Sequence, residues 1–373
     1  MKWRKVIALF LTLVTACSLL AVSGCGKSAP SDNKEDADVS SDSDTEETEE
    51  TGYYTAEDYL ADPSLFTPVW ADEWDVPEEM TNFEEKWESW FDPDGRLMSL
   101  IHRAEGSSIY YPENSIEAIL SCIAAGADMI EIDIWTTKDG HYVLMHDQSL
   151  VRTTNVSSMR HAGAVGFPES DLISDWTLEQ LRRLRLTMTK PDGTVEVTNY
   201  VIPTLDDVLM VAADKIFIML DINDTYEFDF EKDFYPLVQK YNAYRSIGIP
   251  LTMMGNYTED KMNELIETIK KDSGHDKVMM QFNASAGSVA NVVKLIEENG
   301  WVKFLRGGTY SYALDEVFKP YFGKYRVHTN AIFSDIEDTR ENWEMLHNKG
   351  YNSIHTDYYV DMGKYIEELY FSK

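Results

Sequence analysis

From residue 95 onward the apolar positions switch back and forth between a period of two and a period near three and a half. LMSLI (97–101) is a short apolar run that predicts a strand. SIEAILSCIAAG (115–126) puts Ile116, Ile119, Leu120 and Ile123 on one helical face, with Gly126 as a stop. DMIEIDIWTT (128–137) predicts the next strand, Lys138-Asp139-Gly140 a turn, and HYVLMH (141–146) a third strand. TLEQLRRLRL (177–186) and IPTLDDVLMVAA (202–213) predict helices, the second with Thr204 as its N-cap. IFIMLDIN (216–223) reads as a strand, and TEDKMNELIETIKK (258–271) as a helix capped by Thr258. KVMMQF, WVKFLRG, YRVHTNA and NSIHTD follow as strands, with helices SVANVVKLIEENG and ENWEMLHNKG among them. This alternation over about 260 residues predicts a parallel sheet closed as a (β/α)8 TIM barrel, with an open doubly wound sheet as the second choice.

The chain before residue 95 has a different pattern. Residues 1–25 carry a basic start (Lys2, Arg4, Lys5), an apolar stretch and small residues before Cys25, which is a secretory signal and not part of the fold. Its end, VSGC, resembles a bacterial lipobox, with Cys25 as the lipidated first residue of the mature protein. Residues 26–52 hold ten acids, two lysines and no aromatic residue. That composition cannot bury enough apolar surface to offset the entropy of ordering, so a disordered linker is expected. Residues 53–94 are rich in Trp, Tyr, Phe and Glu; Phe83, Trp87 and Phe91 sit four apart, a helical stripe suited to an N-terminal extension packed on the main domain. Residues 95–373 would then be the barrel. The expected location is outside the cell, lipid-anchored to the outer face of the bacterial membrane.

Charge and cysteine content narrow the partners. The full chain of 373 residues has a formal net charge of −32, which argues against nucleic acid as a partner. With Cys25 lipidated there is no disulfide framework, and Cys122 is expected in a helix and in the core.

The polar exceptions fall late in their strands. His102 and Arg103 end the first, Glu131 and Asp133 lie late in the second, His146 ends the third, and Asp221 ends IFIML. Asn330 and Asp357 close two of the last strands, with His328 and His355 just before them. In a parallel barrel those ends share the face where active sites form. Period-two alternation puts Glu131 and Asp133 on one side of their strand, where Asp221 can join them. Converging buried carboxylates repel one another, and a divalent cation removes that cost. Hard oxygen ligands select magnesium or calcium. His102 and His146 beside the ion form an acid–base pair, and the forked guanidinium of Arg103 suits a phosphate. The combination fits in-line displacement at phosphorus.

These motifs resemble a known family. HRAEGSSIYYPENSIEAILSCIAAGADMIEIDIWTTKDGHYVLMHDQSLVRTT (102–154) is similar to the N-terminal signature of the glycerophosphodiester phosphodiesterases: His-Arg-Gly, Pro-Glu-Asn-Thr/Ser, Gly-Ala-Asp with Glu-x-Asp, Lys-Asp-Gly, His-Asp and Arg-Thr-Thr. IPTLDDVL, VHTN and IHTD resemble its later segments. The resemblance implies a barrel with one calcium or magnesium ion on Glu131, Asp133 and Asp221, and His102 and His146 as the acid–base pair. It implies Arg103 on the phosphate, Glu113 supporting the metal site, and Asn330 at the position of a late asparagine. It also implies a glycerophosphodiester substrate or lipid headgroup, yielding glycerol 3-phosphate and an alcohol. Departures from the pattern are Ala104 in place of glycine, expected to crowd the phosphate loop; Asp221 and Asn223 where the family has Glu-x-Lys; and no late tryptophan. A sphingomyelinase-D-like transfer giving a cyclic phosphate, or a non-catalytic phosphodiester-binding lipoprotein, are the other readings of the same residues.

Overall fold

The computed structural model describes residues 52–190, 192–223, 230–250, 258–332 and 334–372. The expected signal segment, Cys25 and the expected linker up to Thr51 lie outside the described residues. The strands in chain order are β1 (Met98–Ile101), β2 (Met129–Thr136), β3 (Tyr142–Leu144), β4 (Thr187–Thr189), β5 (Val195–Val197) and β6 (Phe217–Ile222). They continue with β7 (Ile249–Pro250), β8 (Met280–Gln281), β9 (Asn283–Ala284), β10 (Phe304–Thr309), β11 (Arg326–Asn330) and β12 (Ser353–Thr356).

Parallel pairings run β6–β2–β1–β12–β11–β10–β9. β8 and β9 are one strand interrupted at Phe282, and β8 pairs in parallel with β7. The approach to β7 then bridges back to β6 through Ile218 and Ile247, with Ile218 N donating to Ser246 O at 2.6 Å. The ring therefore closes as a (β/α)8 TIM barrel.

Side-chain alternation sorts the two faces of the ring. On β2, Ile130, Ile132 and Ile134 face outward into the core shared with the surrounding helices. Ile218, Leu220, Leu305, Val327 and Ile354 do the same from other strands. The alternate positions Met98, Leu100, Met129, Phe217, Met219 and Phe304 fill the interior. Helix starts follow the local signals. Thr204 forms a reciprocal capping box with Asp207, and Thr258 accepts from Lys261 N. Gly126, just past the helix Ile116–Ala124, has φ +68° and presses against Met80, so only glycine suits that turn. No helix among the described residues is long and apolar enough to cross a membrane.

HYVLMH departs from the sequence expectation. It does form β3, but β3 pairs antiparallel with β2, Thr136 opposite Tyr142, and is not a stave of the barrel. The turn at Lys138-Asp139-Gly140 is too short for a crossover, so the chain can only fold back as a hairpin. The segment beyond β3 builds a satellite core of its own around Trp176, Leu150, Val156 and Leu181. The β4–β5 hairpin, which the apolar pattern did not predict, belongs to this segment.

The helix Phe83–Phe91 closes the N-terminal end of the barrel. Phe83, Trp87 and Trp90 pack against the first interior residues of the strands, and Trp90 stacks on Phe304 at 4.5 Å. Arg326, the first residue of β11, is fully buried below the end of that helix. Its guanidinium donates to the carbonyls of Ser89, Trp90, Asp92, Arg96 and Asn352 at 2.5–3.3 Å. A cation suits these convergent carbonyls, of which those of Ser89, Asp92 and Asn352 also accept a backbone N–H. Burial pushes its pKa down to about 10, which still leaves it charged at neutral pH. Arg326→Met takes the side-chain donor from the carbonyls of Trp90 and Arg96 and one of two donors from those of Ser89, Asp92 and Asn352, at about 1–3 kcal/mol for each carbonyl left without a donor that water cannot reach. Urea denaturation is expected to show a loss of at least about 3 kcal/mol; a loss below about 1 kcal/mol would mean that the plug does not depend on this residue.

Candidate active site

At the C-terminal ends of the strands the interior pattern changes from apolar to charged. Glu131 and Asp133 continue the inward face that begins with Met129. Asp221 lies directly across the ladder from Asp133. One carboxylate oxygen from each of the three acids falls within 4.8 Å of the others. Glu131 and Asp133 are buried, and Asp221 is exposed at the opening. Burial, then the charges of Asp133 and Asp221, push the Glu131 carboxyl well above its ordinary value. Burial raises Asp133 as well, against the stabilising hydrogen bond from Asn114.

The loop after β1 reaches over this cluster. Arg103 and Ala104 both take left-handed backbone angles, φ +51° and +60°. That turn aims Arg103 N at Glu131 Oε2, 3.0 Å away. Ala104 itself is fully buried in the outer core, where Cys122 Sγ donates to its carbonyl at 2.7 Å. The expected crowding of a phosphate loop by this methyl therefore does not occur. Its cost is one left-handed non-glycine residue, about 1–2 kcal/mol. Asn114, also left-handed at φ +59°, holds Asp133 through Nδ2 to Oδ2 at 3.0 Å. Asn223 Nδ2 lies 3.5 Å from Asp133 Oδ1.

Two histidines flank the acids, each held by an aspartate. His102 Nδ1 lies 2.8 Å from Asp357 Oδ1. His146 Nδ1 lies 2.6 Å from Asp147 Oδ1. An ionised carboxylate only accepts, so each Nδ1 carries the proton and each Nε2 is the basic nitrogen. Gly106 lets the loop pass close to the first pair, since a Cβ there would sit 2.0 Å from Asp357 Oδ1 and 2.7 Å from His102 Nδ1. Asp147 is fixed in turn by Arg152, whose Nε is 2.5 Å from Asp147 Oδ2. Arg152 also grips Glu113, at 2.7 and 3.0 Å.

Arg103, Glu113 and Asn330, expected at the substrate, each have partners within the protein. Arg103 Nη1 is 3.3 Å from both oxygens of Glu113, and its Nε is 3.7 Å from Asp133 Oδ2. Burial alone would raise Glu113, but Arg152 and Arg103 together hold it below its ordinary value. Glu113 stands outside the three-acid cluster and links the two arginines. Asn330 Oδ1 accepts from Ile332 N at 2.7 Å, which closes the turn after β11. Beside these groups opens a cleft of about 160 Å³ whose lining includes Ser107, Ser108, Glu113, Arg152, Thr187 and Thr189.

Beneath the mouth lie polar residues that the strand-end rule only half revealed. His355 meets His102 edge-on at 5.2 Å and His328 at 5.9 Å. Both lower histidines are buried, and burial together with nearby positive charge holds them well below the ordinary imidazole range. They are neutral at pH 7. Arg306 of β10 was not predicted at all. Its only sequence signal is that it falls two residues after the interior residue Phe304.

These features define a TIM-barrel domain with a three-carboxylate cluster and a paired-histidine mouth, the donor chemistry of a hard-cation phosphoryl site. Residues 102–250 match the Glycerophosphoryl diester phosphodiesterase family model. The chain resembles that family over those 149 of its 373 residues. It is 32% identical over 124 residues to the glycerophosphodiester phosphodiesterase of Caldanaerobacter subterraneus subsp. tengcongensis and 33% identical over 125 residues to that of Bacillus altitudinis. Those alignments cover 33% and 34% of this chain and 44% of each relative, so the chain spans under half the length of the curated relatives it matches. Among solved structures, a glycerophosphoryl diester phosphodiesterase from Parabacteroides distasonis has a similar fold, with TM-score 0.57 and 23% identity. The match covers 77% of this chain and 92% of that one. A protein from Silicibacter pomeroyi, described as a glycerophosphoryl diester phosphodiesterase by assignment only, matches with TM-score 0.52 and 15% identity, over 76% and 98% of the two chains.

The raised Glu131 carboxyl gives a stability signature. Its unfolded counterpart ionises near pH 4.5, whereas the folded state holds the proton to higher pH. Stability from this group is therefore complete below pH about 4.5 and is lost as pH rises above it. In chelator, urea denaturation is expected to show Glu131→Gln gaining stability over the unaltered protein between pH 5 and 7.5. Calcium or magnesium at about 100 times its Kd is expected to stabilise the unaltered protein by about 2.7 kcal/mol at pH 7.5, and Glu131→Gln by much less. Equal responses from the two proteins would remove Glu131 from the ligand set.

Proposed function

We propose that this protein is a divalent-metal-dependent glycerophosphodiester phosphodiesterase, hydrolysing its substrate to glycerol 3-phosphate and an alcohol. The observation that carries the reading is the convergence of Glu131, Asp133 and Asp221 between two histidines whose Nδ1 atoms are each held by an aspartate. The match of residues 102–250 to the family model supports it.

Glu131, Asp133 and Asp221 would hold one calcium or magnesium ion. The donor set fits, because three oxygens of net negative charge in a largely buried pocket suit a hard cation and are strained without one. When bound, the ion supplies Lewis-acid polarisation of the phosphoryl oxygens.

The chain's own residues do the rest. Asp357 and Asp147 fix the tautomer of His102 and His146 and stabilise each ring when it takes a proton. One Nε2 accepts the proton of the attacking hydroxyl, from water or a neighbouring substrate hydroxyl. The other imidazole, protonated, delivers a proton to the leaving oxygen. The hydroxyl-rich cleft with Ser107, Ser108, Thr187 and Thr189 suits the polyol or headgroup end of the substrate.

We also propose secretion and lipid anchoring at Cys25, which would place the domain at the outer face of the bacterial membrane. The basic-apolar-small pattern ending in VSGC supports it.

His102→Ala and His146→Ala are each expected to lower kcat on glycerophosphocholine by at least about 100-fold, with unchanged melting temperature. A near-normal rate in either variant would take that histidine out of the chemistry. Phosphorus NMR of the product separates hydrolysis, which gives a monoester, from transfer, which gives a cyclic ester. Cys25→Ser is expected to move the protein from the membrane fraction to the soluble one; retention in the membrane would argue for an uncleaved anchor.

A further inference from the structure

The cleft beside the two imidazoles is polar inside and apolar at its edge. Its lining includes Gly106, which lies against the His102–Asp357 pair. It also includes Arg152, which holds Asp147 beside His146. The cleft therefore adjoins both histidine pairs. Thr187 and Thr189, two apart on β4, line it from one face of their strand. The hairpin register sets Val197 opposite Thr187 and Val195 opposite Thr189. Residues opposite one another in an antiparallel pair share a face, so the valines extend the wall that the threonines begin. Val197 is 50% exposed and Val195 57%. Two more exposed apolar residues adjoin the lining along the chain, Ile109 after Ser108 and Val151 before Arg152.

A single exposed valine needs no explanation, but four apolar side chains bordering one polar cleft form a patch. Its extent is no more than a few hundred Å², well short of the roughly 800 Å² per partner that a stable protein interface buries. The formal charge of −32 also opposes an anionic lipid surface. One hydrocarbon chain needs neither a large area nor a charge. A molecule that joins such a chain to a polar phosphodiester matches the change from hydroxyls to valines along the wall.

We propose that the cleft accepts a phosphodiester whose glycerol carries one acyl chain. The phosphate lies at the acid cluster, the glycerol among the hydroxyls of Ser107, Ser108, Thr187 and Thr189, and the chain along Val197 and Val195. The displacement is the one already described. The oxygen of water joins phosphorus and the phosphorus–oxygen bond to the headgroup alcohol breaks. One histidine takes a proton from the water and the other gives one to the departing oxygen. The acyl ester is untouched, so the product is an acylglycerol phosphate in place of glycerol 3-phosphate. This inference rests on the phosphodiesterase reading above, and the measurements are chosen so that the two can fail separately.

The full-length protein and the double variant Val195→Thr/Val197→Thr are assayed with calcium and with magnesium. Threonine keeps the branched β-carbon that suits a strand and removes apolar surface from the wall. The substrates are glycerophosphocholine and its monoacyl octanoyl counterpart, the latter below its critical micelle concentration. The unaltered protein is expected to show kcat/KM at least about 10-fold higher on the octanoyl diester. The double variant is expected to cut that ratio by at least about threefold. Equal kcat/KM on the two substrates, or a ratio unaltered in the double variant, overturns the proposal. A preference that appears only above the critical micelle concentration also overturns it, since the rim would then serve aggregated lipid. Calorimetric binding of octanoylglycerol 3-phosphate and of glycerol 3-phosphate to the metal-loaded protein is the second readout. The acylated product is expected to bind about 10-fold more tightly. Chain-dependent binding with no turnover of either diester sinks the phosphodiesterase reading and leaves this one standing. Turnover of both diesters at one rate, with equal affinity for the two products, does the reverse.

Discussion

Mutual repulsion among three carboxylates is the constraint around which the mouth of this barrel is arranged. Glu131 and Asp133 are buried on consecutive inward positions of β2, with Asp221 beside them on β6. Such a cluster is costly in a dry interior, and burial with the neighbouring charges of Asp133 and Asp221 raises the Glu131 carboxyl. The surroundings reduce the cost only in part. Arg103 N and the Asn114 amide donate to the acids, and Arg103 carries a nearby charge, but none of these sits among the three oxygens. Three carboxylate oxygens converging in this way form a donor set that suits a hard cation.

The orientation of the two histidines depends on paired carboxylates outside the cluster. Asp357 holds His102 and Asp147 holds His146, and Arg152 links Asp147 to Glu113. Glu113 in turn holds Arg103. One chain of ion pairs thus runs from His146 to the loop that presents His102, so the two imidazoles are positioned by a common network. The other end of the barrel is built on apolar contact. The tryptophan-bearing helix Phe83–Phe91 stoppers the interior, and Arg326 ties its last carbonyls to β11. A closed bottom and a charged top leave the mouth as the end where polar groups converge.

Much of this was legible along the chain. Alternation on DMIEIDIWTT already puts Glu131 and Asp133 on the same side, because the period of a strand is two whatever it packs against. The stripe Phe83, Trp87 and Phe91 announced a packing helix, although Trp90 supplies more of its buried surface than Phe91. Thr204 and Thr258 cap where their side chains said they would. HYVLMH was harder. Its apolar content marks a strand, but whether a strand joins a barrel or folds back beside it depends on the loop and on which edge is available. Arg306 was harder still, since its place two residues after Phe304 marks the inward face only once Phe304 is known to fill the interior.

Local chemistry therefore determined the strand and helix order, the face that each acid and histidine occupies, and the capping of the helices, since these depend on spacing along a few residues. Only the closed barrel decided which of those residues meet. The pairing of Asp133 with Asp221, of His102 with Asp357, and of Arg103 and Arg152 with Glu113 joins positions 10 to 255 residues apart. The reason is that charge and hydrogen bonding act through space over a few ångströms. Which arginine meets which carboxylate is settled by the sum of all such contacts, and that sum exists only in the folded chain.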